Sequence, residues 1–183
     1  MKQSKKIALT GVLAAMSAIL YMFPTFPIFP AFDWLEIDFA DIPAILASIV
    51  VSPVAGGMVV AIRNTVHLAA SSTAMTGELS NFLISAVFVV VAGVMYKALK
   101  NVKYRLTVSL VFAAVCQIAT AALVNYYIMI PLYSNFVNFD EIGKGVYIFA
   151  GVLPFNAIKD TVTCITFSLV YKYIMPHISR LIK

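Results

Sequence analysis

The chain has 183 residues, of which 62% are hydrophobic and only 11% are charged, and its formal net charge at pH 7 is +5. This balance excludes an ordinary soluble domain. Several apolar runs reach the roughly 20 residues that a helix needs to cross the hydrocarbon core of a bilayer. The sequence therefore predicts an all-α membrane protein that forms a single domain over residues 1–183.

Ten of the 13 lysines and arginines stand in three separate groups, which argues against a nucleic-acid-binding surface. One group precedes the first apolar run, one separates two later runs and one closes the chain: Lys2, Lys5 and Lys6; Lys97, Lys100, Lys103 and Arg105; Lys172, Arg180 and Lys183. Cytoplasmic loops of membrane proteins carry an excess of lysine and arginine. We therefore expect both termini and the loop around residue 100 to be cytoplasmic.

The first predicted helix covers about residues 5–22. We interpret it as a retained spanning helix rather than a signal peptide, because its apolar run is long and is followed by aromatic residues and prolines. Small residues recur along one side of it: Gly11, Ala14, Ala15 and Ala18. Such residues let helix backbones approach closely in lipid. The residues alone leave open whether this stripe packs inside the bundle or contacts a second membrane subunit.

Residues 23–37 combine three prolines with five aromatic residues. Pro24, Pro27 and Pro30 exclude a helix there, and the aromatic side chains would waste apolar surface in a freely solvated loop. The segment is therefore predicted to be an extended lid over the outer end of the bundle. Anchoring of the aromatic rings at the membrane interface is the alternative, and both can hold.

Two short apolar segments follow the lid, at residues 38–51 and 54–70, with Ser52 and Pro53 between them. The first would be about 20 Å long, which is short of the roughly 30 Å core. The basic groups before and after these segments belong on one side of the membrane, so an even number of crossings must separate them. The sequence thus predicts six spanning helices, the second of them short.

The second of these short segments carries polar residues. Arg63 is expected to find a carboxylate partner or to reach for the membrane interface. Asn64 and His67 share a helical face, and we interpret them as contacts within the bundle, since no metal-binding motif surrounds His67.

Three long apolar runs complete the bundle, at about residues 79–96, 107–130 and 147–175. Pro154 is expected in the first turn of the last helix, where its missing N–H is harmless. Four polar residues then share one face of that helix: Asn156, Lys159, Asp160 and Thr163. Charged groups in membrane helices turn toward the bundle interior or a wet cavity. This face is predicted to be the wall of a binding cavity; a structural network that joins helices is the alternative.

Polar residues near the outer helix ends are expected to meet at one depth beneath the lid: Asp38, Asp41, Glu78, Asn81, Asn125, Asn156 and Lys159. An apolar pocket with a few convergent polar groups is the usual form of a small-molecule site. The sequence has no nucleophile–base motif and no phosphate-binding loop, and Cys116 and Cys164 are interpreted as buried apolar residues. We therefore expect no catalysis, no metal and no cofactor, and another subunit must supply the energy for any transport.

Five motifs occur in order along the chain: Asp41-Ile42-Pro43, Ser52-Pro53-x-x-Gly56-Gly57, Gly77-Glu78-Leu79-Ser80-Asn81-Phe82, Asn125-Tyr126-Tyr127 and Pro154-Phe155-Asn156-x-x-Lys159. Through them, and over essentially its whole length, the chain resembles the riboflavin-binding S components of energy-coupling-factor (ECF) vitamin transporters. The resemblance implies an outward-facing vitamin site under the lid, with riboflavin as the transported substrate. It also implies a complex with a membrane T subunit and two cytoplasmic ATPases, in a prokaryotic cell membrane.

The resemblance implies individual site residues as well. With Asn81 added from the pocket argument and Tyr126 as an aromatic surface for a flat ring, the predicted binding residues are Leu35, Asp38, Glu78, Asn81, Asn125, Tyr126, Asn156 and Lys159. An Ala-x-x-x-Ala element on the first helix meets the T subunit in the family, and Ala14 and Ala18 match it. The predicted docking surface is Gly11, Ala14, Ala15 and Ala18. The lid departs from the family pattern at Glu36, where a base is common.

Three other functions remain open from the sequence. The first is an S component for another vitamin, such as thiamine, folate or biotin. The second is an intramembrane enzyme that uses Asp160, His67 or Glu78 as acid–base groups. The third is a facilitator that moves its solute without ATPases.

Overall fold

The computed structural model describes residues 2–23, 25–30, 32, 34–70, 75–134 and 139–182. The helices are α1, Gln3–Met22; α2, Asp41–Val50; α3, Pro53–His67, continued by a 3-10 turn at Leu68–Ala70; α4, Thr76–Ala98; α5, Arg105–Tyr133; the short α6, Phe139–Ile142; and α7, residues 144–182. The predicted outer turn after residue 70 and the predicted loop at 138 lie partly outside the described residues, as do Pro24, Asp33 and Lys183. The prediction of an all-helical membrane fold is confirmed.

Four helices in the described part of the chain are long and apolar enough to cross a membrane: Gln3–Met22, Thr76–Ala98, Arg105–Tyr133 and Lys144–Ile178. Helices α2 and α3 have 10 and 15 residues, which correspond to about 15 and 22 Å. Each is shorter than the roughly 30 Å core of a bilayer. Helix length alone therefore accounts for four of the six predicted crossings.

Helices α2 and α3 form a hairpin that packs closely on α4. Ser52 caps α3, its hydroxyl accepting a hydrogen bond of 3.0 Å from Ala55 N, and Pro53 occupies the first turn, where a proline costs nothing. The buried Ser48 hydroxyl donates to the Val89 carbonyl at 2.7 Å. Gly93 lies against Ser48 with no room for a Cβ, so the backbones of α2 and α4 can come together.

The two ends of the bundle differ in chemistry. At one end, the basic end, Lys97 Nζ donates to the Val51 carbonyl at the tip of the α2–α3 hairpin, at 3.5 Å. The helices run from there to the opposite end, the cavity end, where Met22, Glu78 and Lys159 line a common cavity. The lid closes the cavity end.

The lid is a small antiparallel hairpin. Its strands are β1, Phe26–Pro27, and β2, Glu36–Ile37, with Phe26 opposite Ile37. Between them Phe32 is buried, its ring 5.5 Å from that of Tyr147. A Cβ on Gly151 would lie 3.0 Å from the Phe32 ring, so Gly151 makes room for that ring. The prediction of an extended lid is confirmed for its described residues.

Helices α5 and α7 each contain a π-helical segment, Asn125–Met129 and Tyr147–Val152. A proline follows each segment by two residues, Pro131 and Pro154. Because a proline has no N–H and its ring crowds the carbonyl four residues earlier, a wider turn before it relieves the clash. The predicted position of Pro154 is therefore only half right: it opens the α-helical stretch Leu153–Ile182, but a helical turn rather than a loop precedes it.

Candidate functional site

A cavity of about 320 Å³ lies beneath the lid. Its walls come from the lid and from the cavity-end turns of α1, α3, α4, α5 and α7. Seven of the eight predicted binding residues line it: Leu35, Asp38, Glu78, Asn81, Asn125, Asn156 and Lys159. The volume falls within the range of small-molecule pockets, and these residues from four separate parts of the chain line one common cavity.

Asp38 and Lys159 join the lid to α7. The Lys159 ammonium donates to Asp38 Oδ2 at 2.7 Å, and the other carboxylate oxygen accepts from Ala40 N at 2.9 Å. Burial alone would raise the pKa of the Asp38 carboxyl, but the positive charges of Lys159 and Arg63 outweigh it and hold that pKa below its usual range. The pair is therefore charged at neutral pH and ties the end of the lid to the helix bundle.

Asn125 and Asn156 place two amides, from α5 and α7, in the wall of the cavity. Asn156 donates from Nδ2 to its own helix, at Val152 O, over 2.8 Å. Asn125 donates to Ala121 O at 2.9 Å and accepts from the Tyr147 hydroxyl at 3.0 Å. Each amide is thus held by a carbonyl four residues earlier on its own helix. A primary amide offers both donors and an acceptor to a ligand.

Glu78 and His67 connect α4 to the end of α3. Glu78 Oε1 and His67 Nδ1 are 2.8 Å apart, and the imidazole lies against Tyr21 with ring centroids 4.4 Å apart. All three side chains line the cavity. His67 was interpreted from the sequence as a bundle contact, and the structure adds a place in the cavity wall to that contact.

Arg63 pairs with a carboxylate, which is one of the two outcomes predicted from the sequence. It is fully buried, and its Nη2 lies 2.7 Å from Asp41 Oδ1. The same nitrogen donates to Asn81 Oδ1 at 3.1 Å. Asp41 was predicted among the polar groups under the lid, but it lies behind Asn81 rather than in the cavity lining. The ion pair forms a second layer behind the α4 wall.

Tyr126 is placed differently from the prediction. Its side chain is 51% exposed and that of Tyr127 is 69% exposed, and neither is among the cavity-lining residues that the structure describes. Asn125 faces inward, and each further helical residue turns by about 100°, so the next two point away from the bundle. Tyr126 is therefore not retained in the candidate site.

Aromatic lining comes from other positions. Trp34, Phe155 and Tyr147 line the cavity, and the rings of Trp34 and Tyr147 are 6.4 Å apart. Tyr147 was not predicted from the sequence. Neither was Gln117, a buried polar residue two turns before Asn125 in an apolar helix, and this isolated polarity was the signal that could have found it.

The polar face of α7 continues below the cavity. Asp160 and Thr163 are 2% and 1% exposed, so the prediction that this face turns away from lipid is confirmed. Neither lines the cavity, and the Asp160 oxygens have no hydrogen-bond partner in the described part of the chain. The face thus divides into an upper half at the cavity, Asn156 and Lys159, and a lower half inside the bundle.

The small-residue stripe of α1 faces two ways. Ala14 and Ala18 are buried at 2% and 9% exposure, and Ala14 belongs to the core shared with α2 and α3. Gly11 and Ala15 are exposed, and nothing lies within 4 Å of a Cβ built on Gly11. Ala14 and Ala18 therefore form the buried row of the predicted stripe, and Gly11 and Ala15 form its exposed row, about 60° away around the helix.

A helical membrane bundle that holds a polar cavity under a docked lid is the architecture of a membrane substrate-binding subunit. The chain belongs to the family of ECF transporter substrate-specific components, whose model matches residues 5–171. This family is one of transporter components and not of enzymes.

Similar proteins cover the chain almost completely. It is 32% identical to the riboflavin transporter RibU of Staphylococcus aureus over 183 residues, covering 99% of this chain and 96% of the relative. It is 30% identical to the riboflavin transporter FmnP of Bacillus subtilis, covering 96% and 95%. A solved structure of the S component of a bacterial ECF transporter superposes with a TM-score of 0.83 at 31% identity, covering 97% of this chain and 99% of that one.

Proposed function

We propose that the chain is the riboflavin-binding S component of an ECF-type, ATP-dependent vitamin importer. The observation that carries the proposal is the cavity beneath the lid, which gathers the predicted polar residues in a family member whose near-full-length relatives are riboflavin transporters.

The chemistry of the cavity suits riboflavin. The pyrimidine edge of the flavin alternates acceptors with a donor, and the amides of Asn125 and Asn156 offer both complements. Trp34 and Phe155 provide apolar surface for the flat ring. The ribityl hydroxyls match the carboxylate of Glu78. Riboflavin has no charge, which fits a cavity whose lysine is already neutralised by Asp38.

The same charges favour riboflavin over its phosphate ester. Glu36, Asp38 and Glu78 line the cavity, and Lys159 is the only lysine or arginine among its described lining residues. A phosphate would have to compete with Asp38 for that ammonium and would face the other carboxylates at short range.

The α2–α3 hairpin supports a proposal for the membrane topology. Its tip contacts Lys97 at the basic end, while Asp41 and His67, near its two open ends, lie beside residues of the cavity wall. Glu78 and Lys97 are 19 residues apart on one helix, or about 28 Å, so the hairpin extends through most of that depth. We therefore propose six crossings of a bacterial cell membrane by a single domain, with both termini and residues 97–105 in the cytoplasm.

The family further implies a membrane T subunit and two ATPases as partners. Gly11 and Ala15 are four residues apart on the exposed side of α1, a spacing that permits close contact with another helix. We propose this side as the docking surface for the T subunit, with release of the vitamin driven from the cytoplasmic side.

Titration of the purified chain tests the vitamin. Riboflavin fluorescence should be quenched on addition of the protein, with one riboflavin per chain, and the phosphate ester should bind more weakly. Thiamine, biotin and folate serve as competitors. Displacement of riboflavin by one of them at lower concentration, or no binding of riboflavin, would overturn the assignment.

Labelling from either side of the membrane tests the topology. A cysteine introduced at Lys100 should react with an impermeant maleimide only in opened cells, and one at Ser134 in intact cells also. The opposite pattern would reverse the proposed orientation.

A further inference from the structure

Two side chains in the cavity wall form hydrogen bonds to an ion pair that lies behind the wall. Asn81 and Ser85 lie one turn apart on α4, and both line the cavity. Behind them is the Arg63–Asp41 ion pair, with side chains 0% and 2% exposed. The pair thus contacts two wall residues that a ligand would meet, although neither of its own members lines the cavity.

The contact with Asn81 fixes which end of the amide faces inward. A guanidinium group can only donate hydrogen bonds, so the Asn81 atom 3.1 Å from Arg63 Nη2 must be the carbonyl oxygen. That oxygen is engaged on the side away from the cavity. Its amide N–H groups are then the part of Asn81 that can serve a ligand, and they act as donors.

In the contact with Ser85, the cavity-wall residue is the donor rather than the acceptor. The Ser85 hydroxyl donates to Asp41 Oδ2 over 3.4 Å, a long hydrogen bond that still uses the single O–H of the side chain. The lone pairs of the Ser85 oxygen are what the hydroxyl can offer on its other side. Asn81 and Ser85 therefore present a donor and an acceptor, one turn apart.

We propose that Arg63 and Asp41 are positioning residues that set this donor–acceptor order on the α4 wall and so select the substrate. The inference rests on the proposed function for its ligand. Asn81 would donate to a carbonyl or hydroxyl oxygen of riboflavin, and Ser85 would accept from a neighbouring hydroxyl or N–H group. Without the ion pair, both side chains could rotate and offer the wrong group.

A double-mutant cycle tests the inference. Asp41→Asn and Arg63→Gln are introduced together, because removal of one partner alone would leave a buried charge unpaired. This neutral pair is made in the native chain and in Asn81→Ala, and riboflavin affinity is measured for all four chains. We expect the neutral pair to weaken binding about tenfold in the native chain, and by a clearly smaller factor in Asn81→Ala, where only the Ser85 contact remains to be lost.

Ser48→Ala is the matched control, since it removes another buried hydrogen bond between α2 and α4 at a residue outside the cavity lining. It should lower the thermal midpoint but change riboflavin affinity less than about twofold. Equal losses of affinity from the neutral pair in both backgrounds, or no loss in the native chain, would overturn the inference.

The same four chains are also unfolded without ligand. The contact between Arg63 and Asn81 exists only when both are present, so the shifts in thermal midpoint should not add. Additive shifts would refute the contact whether or not riboflavin binds. Failure of the native chain to bind riboflavin, with non-additive shifts, would instead refute the proposed function and leave the positioning contact in place.

Discussion

At the scale of single residues, the cavity depends on groups whose partners limit what they can offer a ligand. Asn156 keeps one N–H on its own helix and is 5% exposed. Its oxygen and its second N–H remain for the cavity. Lys159, in contrast, forms an ion pair with Asp38. Its main role is therefore to hold the end of the lid on α7.

Replacement of Asn156 by alanine should weaken riboflavin binding by about 1–3 kcal/mol, because a buried group of the flavin loses its partner. Fluorescence titration measures the change. Thr161→Ala is the control on the same helix, since Thr161 is exposed and bonded only to Ala157 O. If Asn156→Ala matched Thr161→Ala in affinity, Asn156 would not belong to the site.

The Asp38–Lys159 pair should make stability depend on pH. The pKa of Asp38 is lowered in the folded protein, so its contribution is complete above the unfolded pKa of about 4 and is lost as the pH falls from there through the folded value. The thermal midpoint of the native chain should drop more steeply below about pH 4 than that of Asp38→Asn. Parallel curves for the two chains would show that the pair is not formed.

At the scale of elements, the lid is held at two points of different chemistry. The ion pair fixes its end, and Phe32 fixes its middle by packing on Tyr147 and over Gly151. The two strands of the lid have only two residues each, which are too few to hold the lid by themselves.

Phe32→Ala should open the lid more often, because a buried phenylalanine contributes about 3–5 kcal/mol of packing. We expect riboflavin to dissociate at least tenfold faster, as measured by stopped-flow fluorescence. Phe26→Ala removes an equally large ring that is 53% exposed in the same lid, and its dissociation rate should stay near that of the native chain. Similar rates for both variants would mean that Phe32 does not anchor the lid.

Several elements could be predicted from the sequence because the pattern of apolar and polar residues fixed them. The long helices, the lid and the inward face of α7 all followed from composition and spacing. The π-helical turns could not be foreseen, since only Pro131 and Pro154 marked them and a proline is equally compatible with a helix start. Tyr126 was misplaced because its neighbour Asn125 occupies the inward position.

At the scale of the whole molecule, one side of α1 packs against the bundle and another side is exposed. The sequence showed a stripe of small residues but could not show its direction, because both sides of α1 are apolar. The buried positions of Ala14 and Ala18 and the exposed positions of Gly11 and Ala15 support the proposal that the exposed row contacts another subunit.

Gly11→Trp should leave riboflavin binding by the isolated chain within about twofold, while uptake by cells that hold the complete transporter falls at least tenfold, since a large ring prevents close helix contact. Ala14→Trp is expected to lower the thermal midpoint and to impair binding itself, because it overpacks the core. Uptake at the native rate with Gly11→Trp would exclude the exposed side of α1 from the subunit contact.

The bond between Lys159 and Asp38 has a consequence for the timing of transport. We expect a captured molecule to leave only when the end of the lid separates from α7, which requires this buried ion pair to break, so the loaded state should persist for long periods. Such a subunit binds its ligand well at low concentration but releases it slowly when it acts alone. We therefore expect the chemical energy of ATP to be spent chiefly on emptying the carrier, while filling proceeds spontaneously.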